Sequence, residues 1–219
     1  LSKQDIHHAL QNSTLHQQYH EFARHIDPQT NVKERYYRGI FSICTVQTSF
    51  GTSKRAYGIL TSQDYWTSKK EISDILLRQY SCPISLTNYG GDGILKLQEL
   101  YLTQPDWFFP RENYHLWRNR IIQDIPGLGL AKASFFINLM TPLEPRSVLC
   151  LDRHMLRILL PPLTNKFSRI KKSDYLLAEK AFQELCHEYN WCTFPAQWAI
   201  WSKASGIYDD HSFLDRSKL

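Results

Sequence analysis

The sequence lacks any apolar run of about 18 residues, which is the length that a membrane-spanning helix needs. Its N-terminus, LSKQDIHHALQNS, is polar and has no apolar segment of the kind found in signal peptides. We therefore expect an intracellular, cytoplasmic protein without a membrane segment.

Cysteine is scarce and irregularly placed. The chain has five cysteines, an odd number with no repeating spacing, which argues against a disulfide framework and favours a reducing compartment. Cys186 and Cys192 have no second cysteine pair nearby, so a four-ligand zinc or iron–sulfur site lacks its ligands. We expect no metal and no other cofactor.

An excess of acidic residues is also absent. Lys and Arg together number 26 against 21 Asp and Glu, which gives a net charge of +5 and a pI near 8.9. This balance tilts the expectation mildly toward a polyanionic partner. At 219 residues the chain is long enough for one compact unit or two small lobes.

Apolar residues recur every three or four positions along most of the chain, which predicts an all-α fold. Stretches with this spacing are 6–26, 33–47, 53–60, 69–80, 92–103, 112–123, 131–140, 153–160, 172–190 and 195–204. Prolines and glycine pairs separate them. One stretch is ambiguous, because the β-branched residues of FSICTVQTSF, 41–50, fit a strand equally well.

Two glycines stand at the start of a predicted helix in IPGLGLAKASFFINLM, 125–140. Gly127 and Gly129 permit a tight turn and let another molecule approach the main chain. The helix start leaves unpaired N–H groups that suit a phosphate, and Leu128 between the glycines is expected to point into the core. When the glycines are taken alone, a plain corner between two helices is the favoured explanation.

An aspartate occupies a second helix start in VLCLDRHMLRI, 148–158. Asp152 is placed to cap this helix by accepting hydrogen bonds from its first amides. The same ionised carboxylate is suited to stabilise positive charge on a sugar or to orient water. One residue can fill both roles.

Together these stretches resemble the helix-hairpin-helix DNA glycosylases. IPGLGLAKA is similar to the family's hairpin, and CLDRHMLRI is similar to its aspartate segment, with Asp152 and His154 at the expected offset. SICTVQTSFGTSKRAYGIL, 42–60, resembles the helix–loop–helix near the start of endonuclease III-like members. The four-cysteine C-terminal loop of the family's iron–sulfur branch is absent here.

The resemblance implies two helical lobes with a DNA-binding cleft between them. Residues 31–140 would form the lobe that carries the helix-hairpin-helix, and residues 1–30 plus 141–219 the lobe that carries the catalytic aspartate. It also implies double-stranded DNA as the partner, and we expect a monomer.

The implied activity is a DNA glycosylase that flips a damaged or modified base out of the duplex and hydrolyses its N-glycosidic bond. The resemblance makes Asp152 the catalytic residue. It implies a DNA-binding set of Gln47, Gly127, Leu128, Gly129, Lys132, Asn88 and Tyr89. Tyr36 and Tyr37 are candidates for stacking on the extruded base, although a helical aromatic pair more often packs in the core. Asn88 or Tyr89 is a candidate for a wedge against the opposite strand, although such a loop is more often a surface turn.

Lys132 is displaced from the position of the family's nucleophilic lysine. Members that also cut the DNA strand carry a lysine two residues after the second glycine, where this chain has Ala131. One residue turns an α-helix by about 100°, so Lys132 points elsewhere. We therefore expect a monofunctional enzyme without lyase activity.

Two other functions remain open from the sequence. One keeps the fold but modifies hypermodified pyrimidines of phage DNA by group substitution. The other is a non-catalytic DNA-binding module, for which Asp152 would be a helix cap alone.

Overall fold

A computed structural model describes residues 6, 10, 14–27, 31–46, 48–80, 90–110, 113–145, 147–159, 170–207 and 214. Gln47, Asn88 and Tyr89 lie outside the described residues. The secondary structure of the described residues is helical and contains no strand, which confirms the all-α prediction. The chain divides into two compact units, Pro28–Met140 and Leu1–Asp27 with Thr141–Leu219.

Ten α-helices and one 3-10 helix are formed by the described residues. They are α1 (Thr14–Ile26), α2 (Val32–Cys44), α3 (Phe50–Leu60), α4 (Lys69–Tyr80), α5 (Gly91–Thr103), the 3-10 helix (Pro105–Phe108), α6 (Tyr114–Asp124), α7 (Leu130–Met140), α8 (Arg153–Leu159), α9 (Lys172–Glu188) and α10 (Thr193–Ser205). None of these helices has the length and apolarity to cross a membrane. Several helices begin at a polar cap residue. The side chains of Asn31, Ser49 and Asn113 each accept a hydrogen bond from a backbone amide in the first turn of the helix that follows.

Helix α2 is the centre of the Pro28–Met140 unit and packs against α3, α5 and α7. Gly39 makes this packing close, because a Cβ atom there would lie 2.6 Å from Leu97 and 2.7 Å from Phe136. Of the ambiguous stretch 41–50, residues 41–44 form the end of α2, residues 45–46 form a turn, and Phe50 begins α3. Ile43 and Cys44 are buried in this core, so packing decided their conformation over their β propensity.

Two buried arginines of α2 bind the ends of neighbouring helices. Arg38, 3% exposed, donates to the carbonyl oxygen of Leu139 at 3.1 Å, near the end of α7. Arg35 donates to the carbonyl oxygen of Phe108 at 3.1 Å, the last residue of the 3-10 helix. Carbonyls at helix ends have no partner within the helix, so these bonds satisfy them and tie α7 to α2.

In the other unit, α10 packs against α1, α8 and α9. Trp198 of α10 stacks on Tyr19 of α1, with ring centroids 5.7 Å apart, and meets Phe194 edge-on. The Tyr19 hydroxyl forms a 2.6 Å hydrogen bond with Ser202, and both residues are buried. These contacts fix α10, which carries two side chains that bind the aspartate segment.

Candidate active site

The hairpin predicted at 125–130 is present, and its first glycine is required by backbone geometry. Helix α6 ends at Asp124 and α7 begins at Leu130. Gly127 has φ of 86°, a left-handed conformation that residues with a Cβ atom rarely adopt. Leu128 is 3% exposed and its amide bonds the carbonyl of Ile125 at 3.3 Å, so it anchors the turn in the core.

Gly129 has a different reason to be glycine. Gly129 is exposed, and a Cβ atom added to it would meet no atom within 4 Å. Folding of the hairpin therefore does not require glycine there. The amide of Ala133 bonds the carbonyl of Gly129 at 2.9 Å, whereas the preceding amides of α7 have no carbonyl within the helix to bond. The bare backbone and these amides together suit the approach of a phosphate group.

The hairpin is held from two sides within its unit. At Gly93 of α5, a Cβ atom would lie 2.7 Å from the carbonyl oxygen of Pro126, so glycine lets α5 support the turn. Arg118 of α6, 2% exposed, donates to the Ser134 hydroxyl at 3.0 Å, and that hydroxyl donates to the carbonyl of Leu130 at 2.9 Å. These bonds fix the two helices that flank the turn.

Lys132 lies in the first turn of α7, with its ammonium 5.5 Å from the centre of the Phe135 ring. This cation–π contact directs the side chain along its own helix. Because α7 begins at Leu130, Ala131 and Lys132 occupy consecutive positions of a regular helical turn. The two side chains therefore leave the helix about 100° apart.

Asp152 caps α8. Its Oδ1 accepts hydrogen bonds from the amides of His154 at 2.9 Å and Met155 at 3.1 Å. Its Oδ2 accepts a third hydrogen bond of 2.8 Å from the indole Nε1 of Trp201 on α10. The residue is half-buried. A carboxylate bound by three N–H donors at a helix N-terminus is fixed in position.

The segment 147–151 leads to Asp152 without pairing in a sheet, and side chains satisfy its backbone. Tyr175 of α9 donates from its hydroxyl to the carbonyl of Leu149 at 2.5 Å and accepts from the amide of Leu151 at 3.1 Å. Glu179, one turn later, accepts from the amide of Leu149 at 2.8 Å. Such bonds replace the ladder that a buried extended segment otherwise needs.

Two glutamines complete this arrangement. Gln183, one turn beyond Glu179 on α9, donates to the carbonyl of Ser147 at 2.9 Å. Gln197 of α10 accepts from the amide of Cys150 at 2.8 Å. The segment before the aspartate is thus held at four consecutive or near-consecutive residues.

Sequence reasoning missed these supporting residues. Tyr175, Glu179 and Gln183 recur every four positions, so polar groups on one face of α9 were a usable signal. Trp201 gave no signal in the sequence, because no spacing rule links it to Asp152, 49 residues earlier.

Tyr36 and Tyr37, the candidates for the base pocket, are 2% and 4% exposed. The ring of Tyr36 stacks on Tyr101 with centroids 4.7 Å apart, and burial raises the pKa of its phenol. Tyr37 donates from its hydroxyl to Asp64 at 3.2 Å. Their role with a base stays a prediction. Among the described residues, no group of three or more His, Cys, Asp and Glu is arranged to hold a metal.

Comparison with known proteins gives one family and one fold. The family model described as 8-oxoguanine DNA glycosylase matches residues 15–191, well over half of the chain. No protein among the curated sequences matches.

Three solved structures share the fold. The 8-oxoguanine DNA glycosylase of Methanocaldococcus jannaschii has a TM-score of 0.74 and 17% identity, covering 94% of both chains. That of Thermotoga maritima has a TM-score of 0.70 and 16% identity, covering 94% of this chain and 97% of its own. The M. jannaschii 8-oxoguanine glycosylase/lyase in complex with a 15mer DNA containing 8-oxoguanine has a TM-score of 0.67 and 18% identity, with the same coverage of 94% and 97%.

Proposed function

The chain belongs to the 8-oxoguanine DNA glycosylase family of the helix-hairpin-helix superfamily, and from this premise we propose that it excises an oxidised base of the 8-oxoguanine type by hydrolysis. The proposed enzyme is monofunctional and leaves the abasic strand intact, as the first step of base excision repair. The observation that carries the proposal is the Asp152 carboxylate, held by three N–H donors at the start of α8.

In the proposed reaction the N-glycosidic bond breaks and its electron pair leaves with the base, which takes up a proton. Positive charge develops on the sugar, and the adjacent Asp152 carboxylate stabilises it electrostatically. Water adds at C1′ and gives its proton to Asp152, which passes it through solvent to the departed base and so returns to the carboxylate. The atoms balance as a hydrolysis that yields the free base and an abasic site.

The absence of lyase activity rests on position 131. A strand-cutting member needs an amine that forms a Schiff base with the sugar. Here that position is Ala131, and the neighbouring Lys132 directs its ammonium toward Phe135 on the same helix. Water is therefore the proposed nucleophile.

DNA binding is proposed to centre on the hairpin. Gly127, Leu128 and Gly129 would present the backbone and the first amides of α7 to a phosphate, with Lys132 adding charge. We further propose that Gln47 fills the space of the extruded nucleotide, that Asn88 or Tyr89 contacts the opposite strand, and that Tyr36 and Tyr37 face the base. We propose that the protein is a monomer. Because its substrate is DNA, we propose that it acts in the cytoplasm, at the nucleoid if the source is a bacterium.

The test is incubation with duplexes that carry 8-oxoguanine opposite each normal base, other modified bases, or phage-modified DNA. Mass spectrometry identifies what is released, and denaturing gels report strand cleavage. The expected products are a free modified base and an uncut abasic strand. A base that gains a group without release would establish the substitution reaction instead, and binding without any product would establish a DNA-binding module.

Borohydride reduction during turnover tests the monofunctional part separately. The expected result is that no protein–DNA adduct forms. An adduct that is lost in Lys132→Ala would make Lys132 the nucleophile and the enzyme a lyase.

A further inference from the structure

The hydrogen bonds of Asp152 leave its carboxylate with one open acceptor position. An ionised carboxylate has about four acceptor positions, two on each oxygen. Within the described residues, the amides of His154 and Met155 occupy both positions on Oδ1, and Trp201 occupies one on Oδ2. The remaining position is on Oδ2, the oxygen that Trp201 binds.

Trp201 fixes the orientation of the Asp152 carboxylate, which the helix-cap hydrogen bonds alone do not fix. The cap bonds reach only Oδ1, and the terminal torsion of an aspartate is broad, so Oδ2 is free to swing while Oδ1 stays bound. The indole N–H fixes Oδ2 and thereby fixes the plane of the carboxylate. A second contact holds the indole itself, because the Trp201 and His154 rings meet edge-on with centroids 6.0 Å apart. Helix α10 packs on α8, so the donor and the carboxylate belong to one packed pair of helices.

We propose that Trp201 is a positioning residue for the hydrolytic reaction. Its indole N–H orients Oδ2 of Asp152 so that the open acceptor position receives the attacking water. This proposal rests on the proposed function of Asp152. It assigns Trp201 no contact with DNA or base, so its removal affects the chemical step and not binding.

The experiment compares Trp201→Phe, which keeps a ring but loses the N–H, with Trp191→Phe. Trp191 is a matched control because it is also half-buried in the same unit, where it stacks on Tyr189 with ring centroids 5.0 Å apart. Single-turnover rate constants are measured on the 8-oxoguanine duplex, together with the DNA dissociation constant and the melting temperature. Trp201→Phe should lower the rate constant by about 10- to 100-fold, the scale expected when a catalytic group is misplaced. The DNA dissociation constant of Trp201→Phe should stay within about twofold of the wild-type value. For Trp191→Phe, the rate constant and the dissociation constant should both stay within about twofold of the wild-type values.

The double variant Asp152→Asn/Trp201→Phe separates this proposal from the proposed function. If Trp201 acts only through Asp152, the double variant has the same residual rate as Asp152→Asn. A wild-type rate constant in Trp201→Phe would overturn the positioning role while leaving the function of Asp152 in place. The same conclusion follows if Trp201→Phe lowers the rate constant of Asp152→Asn by as large a factor as it lowers that of the wild type. Full base release by Asp152→Asn would instead overturn the proposed function itself.

Discussion

The carboxylate of Glu179 accepts a 2.8 Å hydrogen bond from the backbone amide of Leu149. Glu179 is only 1% exposed, so this bond lies in the core. Burying a carboxylate costs several kcal/mol unless it is well bonded. The bond lies three residues before Asp152. The chain therefore places a costly buried group where it fixes the segment that leads to Asp152.

Glu179→Ala should lower the free energy of unfolding by about 1–3 kcal/mol, because the buried Leu149 amide loses its acceptor. Glu179→Gln keeps an acceptor oxygen and should cost less. Urea unfolding measures both. The control is Glu184→Ala on the same helix, whose side chain is 56% exposed and should change stability by less than about 0.5 kcal/mol. Equal losses for the Ala and Gln variants would contradict this account of the bond.

Asp152→Asn should fold and bind DNA but release base at least about 100-fold more slowly, because the amide lacks the charge that stabilises the sugar. The Asn oxygen can still cap α8. Its NH2 group then faces the N–H of Trp201, two donors without an acceptor, so a stability loss of about 1 kcal/mol is expected. Single-turnover kinetics and thermal unfolding measure the two effects. A stable variant with wild-type base release would remove Asp152 from the chemistry.

The two hairpin glycines should respond oppositely to alanine. Gly127→Ala forces a Cβ atom into a left-handed conformation and should destabilise the protein by about 1–2 kcal/mol. Gly129→Ala meets no neighbour and should leave stability unchanged or slightly higher. Its methyl group would occupy the space proposed for a phosphate, so DNA affinity should fall. Urea unfolding and fluorescence anisotropy distinguish the two. Undiminished DNA affinity in Gly129→Ala would place the phosphate elsewhere.

Ala131→Lys should convert the enzyme into one that forms a Schiff base with DNA. Lysine is nearly as good a helix former as alanine, so α7 should persist. In the proposed alignment with the strand-cutting members, the new amine takes the position of their nucleophile. Borohydride reduction should trap a covalent adduct with Ala131→Lys, whereas the wild type and the control Lys132→Ala should trap none. If Ala131→Lys excises base but forms no trapped adduct, the proposed alignment of residue 131 with the nucleophilic lysine of strand-cutting members is wrong.

Two histidines of α1 should make stability fall in mild acid. Burial lowers the pKa of His16 below its ordinary 6.5, and the nearby His20 lowers it further. Burial also lowers the pKa of His20. The unfolded chain therefore binds more protons below pH 6.5, so this contribution to stability is present above that pH and is lost as pH falls. Urea unfolding between pH 7.5 and about 5 should show a shallower decline for His16→Gln. His187→Gln, at an exposed position of α9, is the control and should keep the wild-type slope.

Sequence alone determined the helices, the hairpin and the aspartate, because each depends on neighbours along the chain. A repeat of three or four residues marks a helix face whatever it packs against. The two glycines and Asp152 act through local backbone geometry, so their positions at the starts of α7 and α8 were predictable. The prediction that Ala131 stands in place of the family's lysine likewise comes from counting residues from Gly129.

Tertiary structure decided what depends on residues that are distant in the chain. Residues 41–50 fitted a helix or a strand until packing buried Phe41 against Tyr57 and Phe135. The bond from Trp201 to Asp152 joins helices that no local rule pairs. Hydrophobic periodicity shows that a face is buried but not which polar atoms meet there. The backbone of 147–151 had to be satisfied by some partners, and only the packing of α9 and α10 on the aspartate segment selected Tyr175, Glu179, Gln183 and Gln197.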